Sequence, residues 1–136
     1  MQVPLPPRPA ALTWFELCLG ASQALRIGNI ALHSAAMAAA TGIDRQAILI
    51  SPFANAVVVM GLGAAVSRGR FALARWFLVV LVGLDLIGLG GLSAGAQMLG
   101  VPFAATSGVA IVLMLAAGVL MFLPTVTAWL NHGKDG

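Results

Sequence analysis

The sequence has little charge. Only 8% of its 136 residues are Asp, Glu, Lys or Arg, whereas 60% are hydrophobic. A soluble domain carries about 25% charged residues, so this composition excludes an ordinary water-soluble protein and predicts that a bilayer surrounds the chain. The length is enough for one compact unit.

Cysteine is almost missing and tyrosine is missing altogether. Cys18 has no second cysteine, which excludes an intrachain disulfide and a cysteine metal site. The two histidines, His33 and His132, fall near opposite membrane faces, so they cannot hold one haem within a single chain. We therefore expect no cofactor and no metal, although a symmetric dimer could bring two copies of His33 together.

The net charge of +3 comes from seven basic residues that are scattered over chain ends and loops. They form no stripe and no aromatic platform accompanies them, so we do not expect a nucleic-acid partner. The sequence also shows no nucleophile and base pair, no metal cluster and no phosphate-binding loop, so we do not expect an enzyme. The expected partner is the lipid bilayer, with a membrane protein or a second copy of the chain as further possibilities.

Four hydrophobic stretches are long enough to cross a hydrocarbon core of about 30 Å. They cover residues 12–40, 45–66, 71–98 and 102–130. Pro52 falls in the early turns of the second span and Pro124 in the last turns of the fourth, where we expect bends. Residues 1–11 form a proline-rich tail and residues 131–136 a second tail.

The distribution of basic residues predicts the orientation of these spans. Arg45 lies alone on one side of the membrane, and the other side holds Arg8, Arg68, Arg70, Arg75 and Lys134. The positive-inside rule then places both termini and the middle loop in the cytoplasm. Short connections make neighbouring helices antiparallel, so the predicted fold class is an all-α membrane protein, a four-helix bundle with up-down-up-down topology.

Oppositely charged residues occur at matching depths on the first and third spans. Counted from Trp14 and Trp76 at about 1.5 Å per residue, Arg26 lies roughly 18 Å deep and Asp85 roughly 14 Å deep, which an arginine side chain can bridge. Glu16 and Arg75 both fall near the cytoplasmic interface. We predict two interhelical ion pairs, Arg26 with Asp85 and Glu16 with Arg75. If the first and third helices are diagonal, the deep pair requires the close approach that small residues permit, among them Gly83, Gly88, Ala24 and Ala31.

Polar residues recur at a spacing of three to four along one face of the first span, namely Ser22, Arg26, Asn29 and His33. We expect that face to point inward, where Asn55 could join Arg26, Asn29 and Asp85 in a mid-membrane polar layer. Intramembrane ionisable groups often mark a proton or substrate path, but they also fix helix register as a hydrogen-bonded clamp. The clamp is favoured because no further acids or histidines form a continuous relay. His33 is interpreted as a hydrogen-bonded member of the polar face.

Several short motifs carry a resemblance to a family. They are Phe15-Glu16, Ser22, Ala24-Leu25, Asn29, Ser67-Arg68, Ala74-Arg75-Trp76, Phe122-Leu123-Pro124 and Ala128-Trp129. In these the chain resembles small uncharacterised four-span inner-membrane proteins of proteobacteria. The resemblance implies a fold and a compartment, the bacterial inner membrane, without an activity. It also implies that the Glu16 and Arg75 pair belongs to the shared pattern, whereas Arg26 departs from it.

Two functions remain open from the sequence. The first is an accessory or assembly subunit of a larger membrane complex. The second is transport, because Glu16 in the first of four short spans is similar in layout to small multidrug resistance exporters, dimers whose first-span glutamate exchanges protons for cationic drugs. Here the carboxylate lies near the interface and no aromatic cation pocket surrounds it. A capping box with Thr13 is the structural alternative for Glu16.

Overall fold

The computed structural model describes residues 7–132 apart from the side chain of Leu89, and the regular structure in this range is entirely helical. The α-helices in chain order are α1 (Ala10–Leu32), α2 (Ser34–Thr41), α3 (Arg45–Ser67), α4 (Ala72–Gly88), α5 (Leu92–Leu99), α6 (Val101–Leu120) and α7 (Pro124–Asn131). The all-α class predicted from the sequence is confirmed.

Helix α1 is packed between α3 and α6, and α4 closes the arrangement by packing against the same two helices. As residue numbers rise along α1, its hydrogen-bond partners fall in number on both neighbours. On α6 they go from Ala110 to Phe103, and on α3 from Ser67 to Asn55. Helix α1 is therefore antiparallel to both neighbours. Helices α1 and α4 lie diagonally across the described part of the chain, without extensive packing against each other.

The first predicted span, residues 12–40, is not one continuous helix. Helix α1 ends at Leu32 and α2 begins at Ser34, with His33 between them. Nδ1 of His33 lies 2.8 Å from the carbonyl oxygen of Asn29, and the backbone N–H of His33 is shared between the carbonyls of Asn29 and Ile30 at 3.2 Å each. A side chain that bonds into the hydrogen-bond ladder of a helix is a recognised cause of such a break.

The third and fourth predicted spans are also each divided. Helices α4 and α5 meet at an angle of 58° at the 3₁₀ turn Leu89–Gly91. Helix α6 ends at Leu120 and α7 begins at Pro124, because proline has no N–H to continue a helix but fits the first helical position. The second predicted span, residues 45–66, corresponds to α3, which continues through Pro52 as one helix. The bend expected at Pro52 stays a prediction.

Two glycines allow the reversals at one end of the molecule. Gly42 has φ +73° and Gly100 has φ +99°, a region that residues with a Cβ atom rarely adopt. Gly42 follows the last residue of α2, where a left-handed residue commonly ends a helix. Gly100 connects α5 directly to α6, which allows the two helices to pack against each other.

The apolar core lies toward the other end of the molecule. Its largest fully buried side chains come from four helices and α7, namely Leu12, Phe15, Leu19, Val59, Val66, Leu78, Met114, Met121, Val126 and Leu130. Cys18 is a free, partly buried thiol packed against this cluster. The polar contacts of Arg26, Asn29 and Asn55 described below lie farther along the helices, whereas those of Glu16 and Arg75 lie at the level of this core.

Two helices, α3 and α6, are long and apolar enough to cross a membrane, and α4 with α5 make a third candidate if the bent pair is one span. Helix α1 has 23 residues but is not among the candidates, because residues such as Glu16, Gln23 and Arg26 reduce its hydropathy. These helices are consistent with a membrane protein.

The contact between α1 and α3 at Gly63 tests this packing. A Cβ atom at Gly63 would overlap the Leu19 methyl group, whereas no heavy atom lies within 4 Å of the corresponding position at Gly61. We expect Gly63→Leu to lower the free energy of unfolding by about 1–3 kcal/mol, the usual cost of overpacking. Gly61→Leu, two residues away on the exposed side of the same helix, is the matched control and should be close to neutral. The measurement is reversible unfolding in detergent, and equal effects of the two variants would contradict the packing.

Candidate functional site: the polar face of helix α1

The deepest polar contact is the ion pair between α1 and α4. Nη2 of Arg26 donates to Oδ2 of Asp85 at 2.8 Å, with 22% and 13% of the two side chains exposed. This is the contact that matching depths on the first and third spans predict. An unpaired arginine or aspartate at this depth would be costly, so each side chain stabilises the other.

The pair does not depend on the close helix approach that we expected. No heavy atom lies within 4 Å of the Cβ position at Gly83 or Gly88, and α1 and α4 lie diagonally. That expectation is wrong because the long arginine side chain covers the distance by itself. Arg26 thus connects two helices that their own packing does not join.

The expected single polar layer is divided into separate contacts. Nδ2 of Asn29 donates to the carbonyl of Phe103 at 3.1 Å and to Oγ of Ser107 at 2.9 Å, both on α6. Nδ2 of Asn55 donates to Oε1 of Gln23 at 3.2 Å. Neither asparagine bonds to Arg26 or Asp85 in the described residues, so the four side chains form separate contacts and not one hydrogen-bonded network. The reason is rotational: these side chains leave α1 toward different neighbouring helices.

Ser22 and Gln23 complete the face. The Ser22 hydroxyl donates to the carbonyl of Ala110 at 2.7 Å and is fully buried. Gln23, which the sequence analysis did not select, is 3% exposed, and its Nε2 has no hydrogen-bond partner within residues 7–132. Gln23 could have been found from its position seven residues after Glu16, since this spacing places both residues on the side of α1 that faces α3.

His33 lies at the end of this face with a hydrogen bond and a ring contact. Its Nδ1 must donate, because the carbonyl of Asn29 can only accept. The imidazole meets the ring of Phe103 edge-on, with 5.1 Å between ring centroids. His33 therefore links the polar face to α6 and interrupts α1.

The carboxylate of Glu16 is held by three side chains. Its Oε1 accepts from Oγ of Ser67 at 2.6 Å and from Nε of Arg68 at 3.0 Å, and it forms a further ion pair with Nη1 of Arg8 at 3.3 Å. The alternative capping box with Thr13 is wrong, because α1 already begins at Ala10 and no side chain caps it.

Arg75 is not a partner of Glu16, so the second predicted ion pair is wrong. Nη1 of Arg75 donates instead to the carbonyl of Met121 at 3.3 Å and to Oγ1 of Thr127 at 3.0 Å, and the guanidinium lies 4.7 Å from the ring centre of Phe122. The depth of the two residues was matched correctly, but Glu16 faces α3 while Arg75 faces α6 and α7. Arg75 is 7% exposed and has no carboxylate partner among residues 7–132.

As a set, these side chains join helices by hydrogen bonds and ion pairs. From α1 they reach α3, α4 and α6, and no donor–acceptor chain links one contact to the next in the described residues. That part of the chain also holds no group of three or more His, Cys, Asp or Glu side chains that could bind a metal ion. These side chains therefore act by pairing polar groups of one helix with polar groups of another.

Comparison of the chain with protein-family models, with curated proteins and with solved structures gives no match.

The deep ion pair can be tested by charge removal and charge exchange. We expect Asp85→Asn to lower the free energy of unfolding by about 2–5 kcal/mol, because it leaves Arg26 buried without a counter-charge. The exchanged double variant, Arg26→Asp with Asp85→Arg, should recover part of that loss. Thermal unfolding in detergent reports both effects.

The matched control for this test is Asp44→Asn. Asp44 is exposed and makes no side-chain capping bond at the start of α3, so its charge removal should leave the unfolding temperature nearly unchanged. No recovery in the exchanged variant, or equal effects of Asp85→Asn and Asp44→Asn, would reject the ion pair as a stabilising contact.

Proposed function

We propose that this chain is a small four-span protein of the bacterial inner membrane that serves as an accessory or assembly subunit of a larger membrane complex. In this role the polar face of α1 fixes the helix register, and the apolar outer surface meets lipid or a membrane-protein partner. The proposal adopts the resemblance to small proteobacterial inner-membrane proteins.

The polar residues of α1 do not exclude it as a fourth span. Ser22, Asn29 and Arg26 direct their hydrogen bonds to other helices, so they need not meet acyl chains. Polar side chains are tolerated within the bilayer when they face the helix bundle and find partners there. This supports a bundle in which α1 crosses the membrane together with α3, α4 with α5, and α6.

The basic residues support cytoplasmic termini. Arg8, Arg68, Arg70 and Arg75 gather at the end of the molecule where α1 begins, α3 ends and α7 lies. Arg45 lies at the opposite end, where it donates to Ser34. The positive-inside rule then favours the cytoplasm for the first end. Lys134, the remaining residue of this prediction, lies outside the described residues.

The observation that carries the proposed function is the contrast between the inside and the outside of the helices. Inside, Arg26 and Asp85 neutralise each other, and the buried side chains of Ser22 and Asn29 bond to α6. Outside, large apolar side chains are exposed on several helices, including Val57, Leu73, Ile87, Val112 and Val119. A protein whose polar groups are used internally and whose surface is apolar is suited to pack within a membrane assembly.

The alternative, a small proton-coupled exporter, has less support. Its expected proton carrier, Glu16, already accepts hydrogen bonds from Ser67 and Arg68. A carboxylate that is held in this way would have to leave its arginine partners before it could bind a proton or a cationic drug. The other carboxylate within a helix of the described chain, Asp85, is paired with Arg26.

The subunit proposal predicts a stoichiometric partner. Native purification in lipid nanodiscs, from cells that express a tagged chain at its natural level, should recover a second polypeptide in a fixed ratio, measured by native mass spectrometry. A tagged membrane protein of similar size from the same cells is the control for adventitious capture. Recovery of a lone monomer or a homodimer would contradict an accessory role.

The exporter alternative makes a separate prediction. If Glu16 exchanged protons, purified wild-type protein in liposomes would take up cationic dyes along a proton gradient, and Glu16→Gln would abolish this uptake without unfolding. We expect no such uptake from the wild type, because the carboxylate is already held by arginines. Uptake that Glu16→Gln removes and Asp44→Asn preserves would establish the exporter and overturn the subunit proposal.

A further inference from the structure

An apolar groove of about 500 Å³ runs between α4 and α6. Val79 and Val82 line it from α4, and Leu115, Gly118 and Phe122 line it from α6 and the segment that follows. Val79 and its neighbour Val119 are exposed, so the groove is open on the outer surface of the helices. In a membrane protein such a surface faces acyl chains.

Arg75 lies at one end of this groove. It precedes Val79 by four residues and Val82 by seven, so all three share one face of α4. Its guanidinium is 4.7 Å from the ring centre of Phe122, and its Nη1 donates to the carbonyl of Met121, which also lines the groove. The groove therefore leads from apolar walls to a positive charge.

The charge of Arg75 is not balanced within the described chain. Asp85 and Glu16 are paired with other arginines, and Nε of Arg75 is buried without a hydrogen-bond partner in residues 7–132. The partners of Nη1 are a carbonyl and a hydroxyl, both neutral. Arg75 is 7% exposed, and a buried arginine with an unused donor is arranged to receive an anion.

The neighbouring residues indicate the depth of this charge. Trp76 is 59% exposed and packs edge-on against Phe122, with 5.4 Å between ring centroids. Exposed tryptophans concentrate at the level of lipid headgroups. Arg70, five residues before Arg75, donates a hydrogen bond to the carbonyl of Trp129 in α7 near the same end. This end of the groove is therefore at the level expected for lipid phosphates.

We propose that the groove between α4 and α6 binds one anionic glycerophospholipid, with an acyl chain against Val79, Val82 and Gly118 and the headgroup phosphate at Arg75. The groove supplies apolar contact and Arg75 supplies the counter-charge that no carboxylate of residues 7–132 provides. The Thr127 hydroxyl, which accepts from Arg75, has its own proton to donate to the phosphate. This inference requires the membrane location but not the subunit role.

The test is retention of phosphatidylglycerol by the full chain in detergent, measured by native mass spectrometry as lipid is titrated, with phosphatidylcholine as the zwitterionic comparison. We expect preferential retention of phosphatidylglycerol by the wild type, reduced about tenfold in Arg75→Gln because a charge-assisted contact is lost. Arg45→Gln removes the same charge from the opposite end and should retain the lipid as the wild type does.

A second pair of variants tests the groove itself and does not depend on the folding of Arg75→Gln. Gly118→Leu should fill the groove and reduce phosphatidylglycerol retention, because the Cβ position at Gly118 lies 3.6 Å from Val82 on the other wall of the groove. The matched control is Gly61→Leu on α3, outside the groove, where no heavy atom lies within 4 Å of the Cβ position, and it should retain the lipid as the wild type does. Equal retention of the two lipids by the wild type would overturn the proposal, as would equal phosphatidylglycerol retention by wild type and Gly118→Leu. Displacement of the lipid signal by inorganic phosphate alone would also overturn it. Loss of a stoichiometric protein in Arg75→Gln, with lipid retention unchanged, would assign Arg75 to a protein partner instead.

Discussion

A polar side chain on a membrane helix must find its hydrogen-bond partner within the protein, because hydrocarbon offers none. In the proposed four-span arrangement, helix α1 shows this constraint most clearly. Ser22 and Asn29 bond to α6, Gln23 bonds to α3, and Arg26 bonds to Asp85 on α4. Since each contact specifies a different neighbour, sliding or rotating α1 would leave several buried groups without partners at once. The helix least suited to lipid by its composition is thus the one that positions the others.

Apolar packing dominates one half of the molecule, where Glu16 and Arg75 add polar contacts, and hydrogen bonds dominate the other half. Near the beginning of α1, close apolar packing dominates, with Phe15 and Leu19 fully buried and Gly63 of α3 adjacent to the Leu19 side chain. Farther along, the helices are joined by hydrogen bonds, and the Arg26–Asp85 pair spans a diagonal that packing does not close. In lipid, burial of apolar side chains gives little driving force by itself, because acyl chains are as apolar as leucine. Directional bonds in the second half therefore add to close packing in fixing the helix register.

Sequence reasoning recovered what depends on position along a helix and missed what depends on rotation about it. Hydrophobicity gave the helical class and the approximate spans, and counting residues from Trp14 and Trp76 placed Arg26 level with Asp85, which form a contact. The same count placed Glu16 level with Arg75, yet these side chains leave their helices toward different neighbours. The break at His33 was missed for a related reason, since it arises from one side-chain bond to a carbonyl and not from any loss of hydrophobicity.

Arg26 and Arg75 lie at different depths and therefore differ in where their counter-charge can come from. In the proposed four-span arrangement, Arg26 lies roughly 18 Å from the level of Trp14 along α1, beyond the reach of headgroup phosphates, so its counter-charge must come from the protein. Asp85 provides it. Arg75 lies beside Trp76, at the level that this arrangement gives to the lipid phosphates, and it makes only neutral hydrogen bonds within residues 7–132. A carboxylate there would compete with the lipid for the same guanidinium. In this arrangement, the absence of a carboxylate beside Arg75 within residues 7–132 follows from its depth, just as the presence of one beside Arg26 does.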